Sequence, residues 1–392
     1  MSSQKNVDKR QKKIILIGPA YPYRGGNSLF VSYLFDSLKN EFNVKILNYS
    51  LLYPSFLFPG TTQYDKSTEV IKKAPNERVV NSINPFNWIK VAKLINQENP
   101  DLVVFDWWHP FFAFCHRGIS SNLNENLKSK ILFITENFIS HEGNLIDRTL
   151  TNIGLKNASA FLTLSVKVEE ELKELADKRA IYRSELPVYD CYNFETKLDI
   201  ETTRKSFGFN KEDFVLLFFG YIRKYKGLDI LINSFPQIQS KVPNAKLLIV
   251  GESYEDIKFY QDIINNTGHA DKIVLENKFV PNEDVAKYYQ ASDLVVLPYR
   301  SATQSGILNV TYGFSKPVMV TRVGGLSEFV FDDRTGIIIE PESKEAIVNG
   351  VVRFLELSNV INFEQNIKNF VQRNNFANIV PLFHQIINDL SK

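Results

Sequence analysis

The chain has 392 residues, 44% hydrophobic and 23% charged, with a formal net charge of +2. That length predicts two domains rather than one core, and the charge excludes a protein that binds nucleic acid by an excess of cations alone. Cys115 and Cys191 form neither a metal motif nor a disulfide framework, no apolar run approaches the roughly 20 residues of a membrane span, and the first residues are polar and basic rather than a secretory leader. A reduced, cytoplasmic protein is expected. Phenylalanine is frequent, 30 residues, enough for some to sit at a partner or membrane surface.

Met1–Lys13 carries Lys5, Lys9, Arg10, Lys12 and Lys13 against Asp8 and reads as a disordered tail, with contact to anionic lipid as the alternative. Ile14–Ile17 is a buried strand ending in Gly18-Pro19. The loop after it holds Arg24-Gly25-Gly26 and leads into a helical pattern over Ser28–Leu38. Paired glycines let a ligand approach the backbone at a helix start, and a tight βα turn explains them equally well. The spacing is not G-x-G-x-x-G, so no dinucleotide fingerprint is present. Val44–Tyr49 is a second strand. It runs into Leu51–Asp65, an apolar stretch punctuated by Pro and Gly, which reads as a loop that covers an acceptor or touches lipid, or as simple packing. Trp88–Ile95 has helical spacing and faces the core, a membrane-surface helix being the alternative.

Leu102–Phe105 is a further buried strand, with Asp106-Trp107-Trp108-His109-Pro110 beyond its end. In open parallel sheets ligands bind beyond the carboxyl ends of strands, so His109 is placed for chemistry between aromatic walls; a capping histidine is the plain alternative. Ile131–Thr135 repeats the pattern, followed by Glu136-Asn137 and His141-Glu142. Phe161–Leu164 is a later strand of the same layer. Leu186–Asn193 breaks both periodicities and reads as a linker. It divides the chain into domains over residues 1–190 and 191–375, with a helix over 376–392 packing back on the first.

The second half is organised around Leu216–Gly227, LLFFGYIRKYKG. A buried strand stops at Gly220, and Arg223, Lys224 and Lys226 precede Gly227 and a helix. Helix-start amides, the positive end of the macrodipole and full cationic charge together suit a phosphate. Ser301–Ile307, SATQSGI, offers the amides of Ser305, Gly306 and Ile307 as a second cradle. Strands are predicted at 214–219, 246–250, 273–275, 294–297, 318–321 and 337–339, with a short helix at Asp284–Gln290. The expected architecture is α/β: two doubly wound, Rossmann-like domains facing across a cleft, with a nucleotide on the second and another substrate on the first.

The order GYIRKYKG, VGE, KFVPNEDV, ASDLVVLPY, GFSKPV and VGGLSEFV resembles the retaining nucleotide-sugar glycosyltransferases of family 4, with the GT-B fold. The likeness covers nearly all of the second domain. In the first it rests on Gly25-Gly26 opening a helix and on a histidine after the fourth strand. It is nearest to bacterial enzymes with an SATQSG segment. The resemblance implies metal-independent transfer of a sugar, without a cofactor, from a nucleotide-sugar donor to an acceptor alcohol with retention. It implies that Arg223 and Lys226 hold the diphosphate, that His109 contacts the transferred sugar, and that Gly25, Gly26, Gly220, Phe279, Val280, Ser305, Gly306 and Ile307 line the donor site. Arg24, Asp106, Trp108, Glu136 and His141 are the acceptor-side candidates, a carboxylate among Glu136, Glu142 and Asp106 assisting the acceptor hydroxyl. The terminal segment Phe363–Leu390 resembles the family's crossing helices and implies closure around the donor.

One departure stands out. Family members carry two glutamates ahead of the G-x-P-V turn, and here Val310 and Ala302 fall at those places; no Asp or Glu occurs between Asp293 and Glu328. Gln304 and Asn309 are the neutral substitutes, and Glu328 is a candidate to reach the cleft. A non-catalytic nucleotide-sugar-binding subunit is therefore the competing expectation. The acceptor is expected to be a glycan or lipid-linked glycan, with peripheral contact at the inner membrane.

Overall fold

Short apolar runs, buried on both faces, become the strands of two parallel sheets. In this computed structural model, which describes residues 11–58, 62–138, 145–175, 178–185, 187–189, 199–303 and 305–392, the first sheet holds β1 (Lys13–Ile17), β2 (Asn43–Leu51), β3 (Asn76–Asn81), β4 (Leu102–Trp107), β5 (Ile131–Thr135), β6 (Ala160–Thr163) and β7 (Ala180–Arg183). Its order is β3-β2-β1-β4-β5-β6-β7. The second sheet holds β8 (Phe214–Phe219), β9 (Ala245–Val250), β10 (Ile273–Glu276), β11 (Leu294–Leu297), β12 (Val318–Thr321) and β13 (Gly336–Ile339), in the order β10-β9-β8-β11-β12-β13. Every strand pair is parallel, with helices in the connections. The doubly wound expectation holds in both halves.

Two strands escaped the sequence reading. β3 (NERVVN) and β7 (AIYR) are the edges of the first sheet, half exposed, and so lack the continuous apolar run of a central strand such as β8, whose six residues are all buried. The helix predicted at Trp88–Ile95 spans Pro85–Glu98. Asn84 starts it by accepting from the Phe86 and Asn87 amides, and Asn99 ends it in the left-handed region at φ 41°. The tail expected over Met1–Lys13 lies outside the described residues as far as residue 10, and the linker expected at Leu186–Asn193 lies outside them except for Pro187, Val188 and Tyr189.

The order reverses between β1 and β4 in the first sheet and between β8 and β11 in the second, so each sheet has a switch point where two strand ends diverge and leave a crevice. The loops after β1 and β8 lie at these points. Gly227 fixes the second loop. Its φ is +67°, and a Cβ there would stand 2.0 Å from the Pro298 carbonyl oxygen, so the turn closes against backbone that cannot give way.

The segment after Arg373 leaves the second sheet and lies on the first. Phe376 stacks on Tyr33 at 5.3 Å and meets Phe30 at 5.8 Å, the His384 ring packs on Phe42 at 4.5 Å, and Tyr182 donates to Asp389 at 2.9 Å. One apolar cluster therefore runs from the β1 face through Tyr189 and Phe376 to the β8 face. The opposite sheet faces carry separate cores.

Candidate functional site

Both switch-point loops open into one cavity of about 400 Å³ between the domains. Its first-domain wall includes Tyr23, Arg24, Gly25, Gly26 and Asn27. Its second-domain wall includes Gly220, Lys226, Glu252, Phe279, Val280, Ser305, Gly306 and Ile307. The chain thus brings together most of the predicted donor set.

The helices Gly26–Leu38 and Gly306–Gly313 begin at this cavity, and neither has a side-chain cap. Added Cβ atoms at Gly25, Gly26 or Gly306 would meet nothing within 4 Å. Two bare helix starts thus present their first amides to open space, and their dipoles favour an anion there.

Lys226 supplies the charge. It is buried, and burial first, then the Arg223 cation, pushes its ammonium down to about 7. Among the described residues no carboxylate lies within ion-pair distance of it. Its Nζ stands 5.5 Å from the centre of the Tyr299 ring and 3.3 Å from where a Gly220 Cβ would be. At φ +107°, Gly220 leaves the room that Lys226 and Ile307 use to reach the cavity. A desolvated ammonium without a counter-ion is a strong site for an incoming anion.

Arg24 is bound across the cleft. Its Nη2 pairs with Glu252 Oε2 at 2.7 Å, and its guanidinium lies 4.5 Å from the centre of the Phe279 ring. Both of these partners are second-domain residues on the donor wall, while Phe58 of the first domain lies 5.7 Å from the same guanidinium.

Several other predicted residues are engaged elsewhere. Asp106 is fully buried inside β4 beside Glu136 and cannot face an acceptor. Burial, then the Glu136 charge, drives its carboxyl well above the usual range. Glu136 is itself pushed up to about 7 by burial, and it accepts from Asn27 Nδ2 at 2.7 Å, bracing the Gly25-Gly26 loop from beneath. Trp108 donates its indole N–H to Tyr53 Oη at 3.1 Å and packs on Phe112 at 4.2 Å, so it forms a wall rather than an open stacking face. Asn309 is buried and donates to the Pro187 carbonyl at 3.1 Å, away from the cavity. Glu328 accepts the amides of Val166 and Lys167, at 2.8 and 3.2 Å, and so caps a first-domain helix instead of reaching the donor. Gln304 and the His141-Glu142 pair lie outside the described residues.

His109 takes the plain role foreseen for it: its Nδ1 accepts the Phe111 amide at 3.1 Å, capping the turn Pro110–Phe112. Its imidazole is held below the usual range by desolvation, with Asp147 opposing and Arg223 adding to the effect. The same Arg223 charge reaches Tyr53, so Arg223 and His109 lie near one another across the cleft, although neither is among the residues lining the cavity.

The two walls are joined elsewhere by polar contacts. Glu283 accepts from Thr68 Oγ1 at 2.8 Å, Ser67 Oγ accepts the Asn282 amide at 3.0 Å, and Thr303 pairs with Asn137. Sequence reading missed Glu252, Asn27 and the tyrosines 23, 221 and 299. Glu252 follows the end of β9 in the quoted VGE, and the signal was its place beyond a strand end.

Residues 199–373 match the sequence model of the family described as Glycosyl transferases group 1. The second domain is thus similar in sequence to that family. An uncharacterized glycosyltransferase of Methanocaldococcus jannaschii is 25% identical over 349 residues, 88% of each chain. Among solved structures, the sucrose-phosphate synthase of Thermosynechococcus elongatus superposes with a TM-score of 0.74 at 16% identity, over 97% of this chain and 99% of that one. HepE of Anabaena, solved in complex with UDP-glucose, gives 0.72 at 16% identity over 97% and 99%. The fold is therefore GT-B, and the group 1 domain contributes β8–β13 and the Lys226 loop.

Proposed function

We propose that the protein is a retaining glycosyltransferase that moves a sugar from a nucleoside-diphosphate sugar to an acceptor hydroxyl without a metal. The observation that carries this reading is Lys226, buried, with no carboxylate partner among the described residues, and lining one cavity with two uncapped helix starts. When the bond between the anomeric carbon and the diphosphate breaks, negative charge grows on the leaving phosphate. Lys226 and the Gly26 and Gly306 helix starts stabilise that charge most as it develops, and Arg223 adds to the field. The acceptor oxygen forms the new bond, and its proton leaves with the diphosphate or to solvent.

The missing acidic pair, together with Glu328 serving as a helix cap, favours a second reading: a nucleotide-sugar-binding subunit without turnover. One experiment separates them. A panel of nucleoside diphosphates and their sugars is expected to raise the melting temperature selectively, since a ligand that binds only the native state stabilises it. The matching donor is expected to be hydrolysed slowly to free sugar. Stabilisation without hydrolysis supports the subunit; no shift at millimolar ligand removes both.

The acceptor is assigned to a glycan or lipid-linked glycan at the cytoplasmic face of a membrane. Support comes from the first domain, where Phe56, Phe86 and Phe114 are 83%, 79% and 57% exposed and the helix Pro85–Glu98 adds exposed Lys90 and Lys93. Co-sedimentation with anionic vesicles is expected, and Phe56→Ser with Phe86→Ser is expected to abolish it. A wild-type protein that stays in the supernatant removes the membrane role.

A further inference from the structure

The cavity wall offers two kinds of chemistry. One is Lys226 with the bare helix starts. The other is Arg24, paired to Glu252 at 2.7 Å, the two side chains only 3% and 12% exposed. Its guanidinium stands 4.5 Å from the Phe279 ring centre and 5.7 Å from those of Tyr221 and Phe58. The pairing uses Nη2 alone. Nε and Nη1 are buried and have no hydrogen-bond partner among the described residues. Two buried nitrogens whose three N–H donors go unmet are costly, and such groups are rare unless something supplies the acceptor. Arg24 lines the cavity, so that acceptor can be a ligand.

We propose that Arg24 is a specificity residue for the nucleoside end of the donor: its unmet N–H groups are held for neutral acceptors there, Nη1–H for a carbonyl oxygen of the base, while Nη2 ties the domains through Glu252. The Glu252 carboxylate neutralises the guanidinium, so neutral acceptors match the unmet N–H groups better than a second anion would. The diphosphate belongs at Lys226, whose charge has no carboxylate partner among the described residues. Phe279 and Tyr221 add flat apolar walls beside Arg24. Bases with an exocyclic carbonyl (uracil, cytosine, guanine) can meet the Nη1–H donor; adenine has no such carbonyl. The inference rests on the nucleotide-sugar reading above.

The test is calorimetric titration of the full chain with UDP, CDP, GDP, ADP and inorganic pyrophosphate, on the wild type and on Arg24→Lys. Lysine keeps the charge facing Glu252 but loses the planar fork. The wild type is expected to bind at least one carbonyl-bearing diphosphate about tenfold or more tighter than ADP, and Arg24→Lys to erase that margin while leaving ADP and pyrophosphate within about twofold of wild type. Equal wild-type affinity for ADP and the others overturns the proposal, and this arm stands even if the variant fails to fold. An equal loss for pyrophosphate overturns it too, because Arg24 would then be a phosphate ligand, as does a variant that changes nothing. Failure of the wild type to bind any of the five removes the nucleotide reading itself, and this inference with it.

Discussion

Lys226→Ala is expected to lower donor turnover by about 10²–10³ and at the same time to raise the melting temperature of the ligand-free protein. Both effects have one cause. The ammonium is buried with no carboxylate partner among the described residues, which helps a developing phosphate charge and strains the empty fold. In the unfolded chain a lysine titrates near about 10.4; in the fold this one titrates at about 7. Between those values the unfolded state holds the extra proton, so wild-type stability rises with pH across that window. The advantage of Lys226→Ala is therefore full below about pH 7 and fades toward pH 10. Diphosphate binding needs the charged form, so it is expected to take up a proton and to weaken by up to about tenfold per pH unit above 7. Melting curves across pH, with titrations in buffers of different ionisation enthalpy, check this. A variant that keeps its turnover, or that is less stable than wild type at pH 6, contradicts it.

Glu136→Gln is expected to stabilise the protein by about 3 kcal/mol at pH 8 and by little at pH 4.5. Glu136 titrates at about 7 in the fold because burial raises it by more than its hydrogen bonds to Asn27 and Asp106 lower it, and at about 4.3 when unfolded. Between those values the folded state holds more protons, so the wild type loses stability as pH climbs through the window and has lost all of this contribution above about 7. Glutamine cannot ionise and keeps an oxygen for Asn27. Chemical denaturation of both proteins from pH 4.5 to 8 reads the effect of Glu136 together with that of Asp106, whose titration the Glu136 charge also shifts. Parallel curves sink it.

How much of this was legible in the sequence depended on whether a residue's environment is local. The strand β8 and the turn to Gly227 could be read because an uninterrupted apolar run, a glycine and three cations lie in one stretch. The edge strands β3 and β7 could not, since their half-exposed sequences look like loop. Asp106 looked like a cleft carboxylate because it follows an apolar strand, but it is the strand's own fifth residue and points into the core under Gly18, whose Cβ would stand 3.1 Å from its own. Glu328 sat in a family-like motif, yet its partners are amides from a helix 162 residues earlier in the chain. Arg24 was visible as a residue beside two glycines. Its ion pair with Glu252 spans 228 residues, a separation that no local pattern reports.

The packing of Phe376 and His384 on Tyr33 and Phe42 has a consequence for how the protein is made. The N-terminal lobe leaves the ribosome first, but the outer surface of its Gly26–Leu38 helix is finished only by residues translated after the whole group 1 domain. Until then that lobe carries an uncovered aromatic patch, which is what a chaperone recognises and what a truncated transcript would expose permanently.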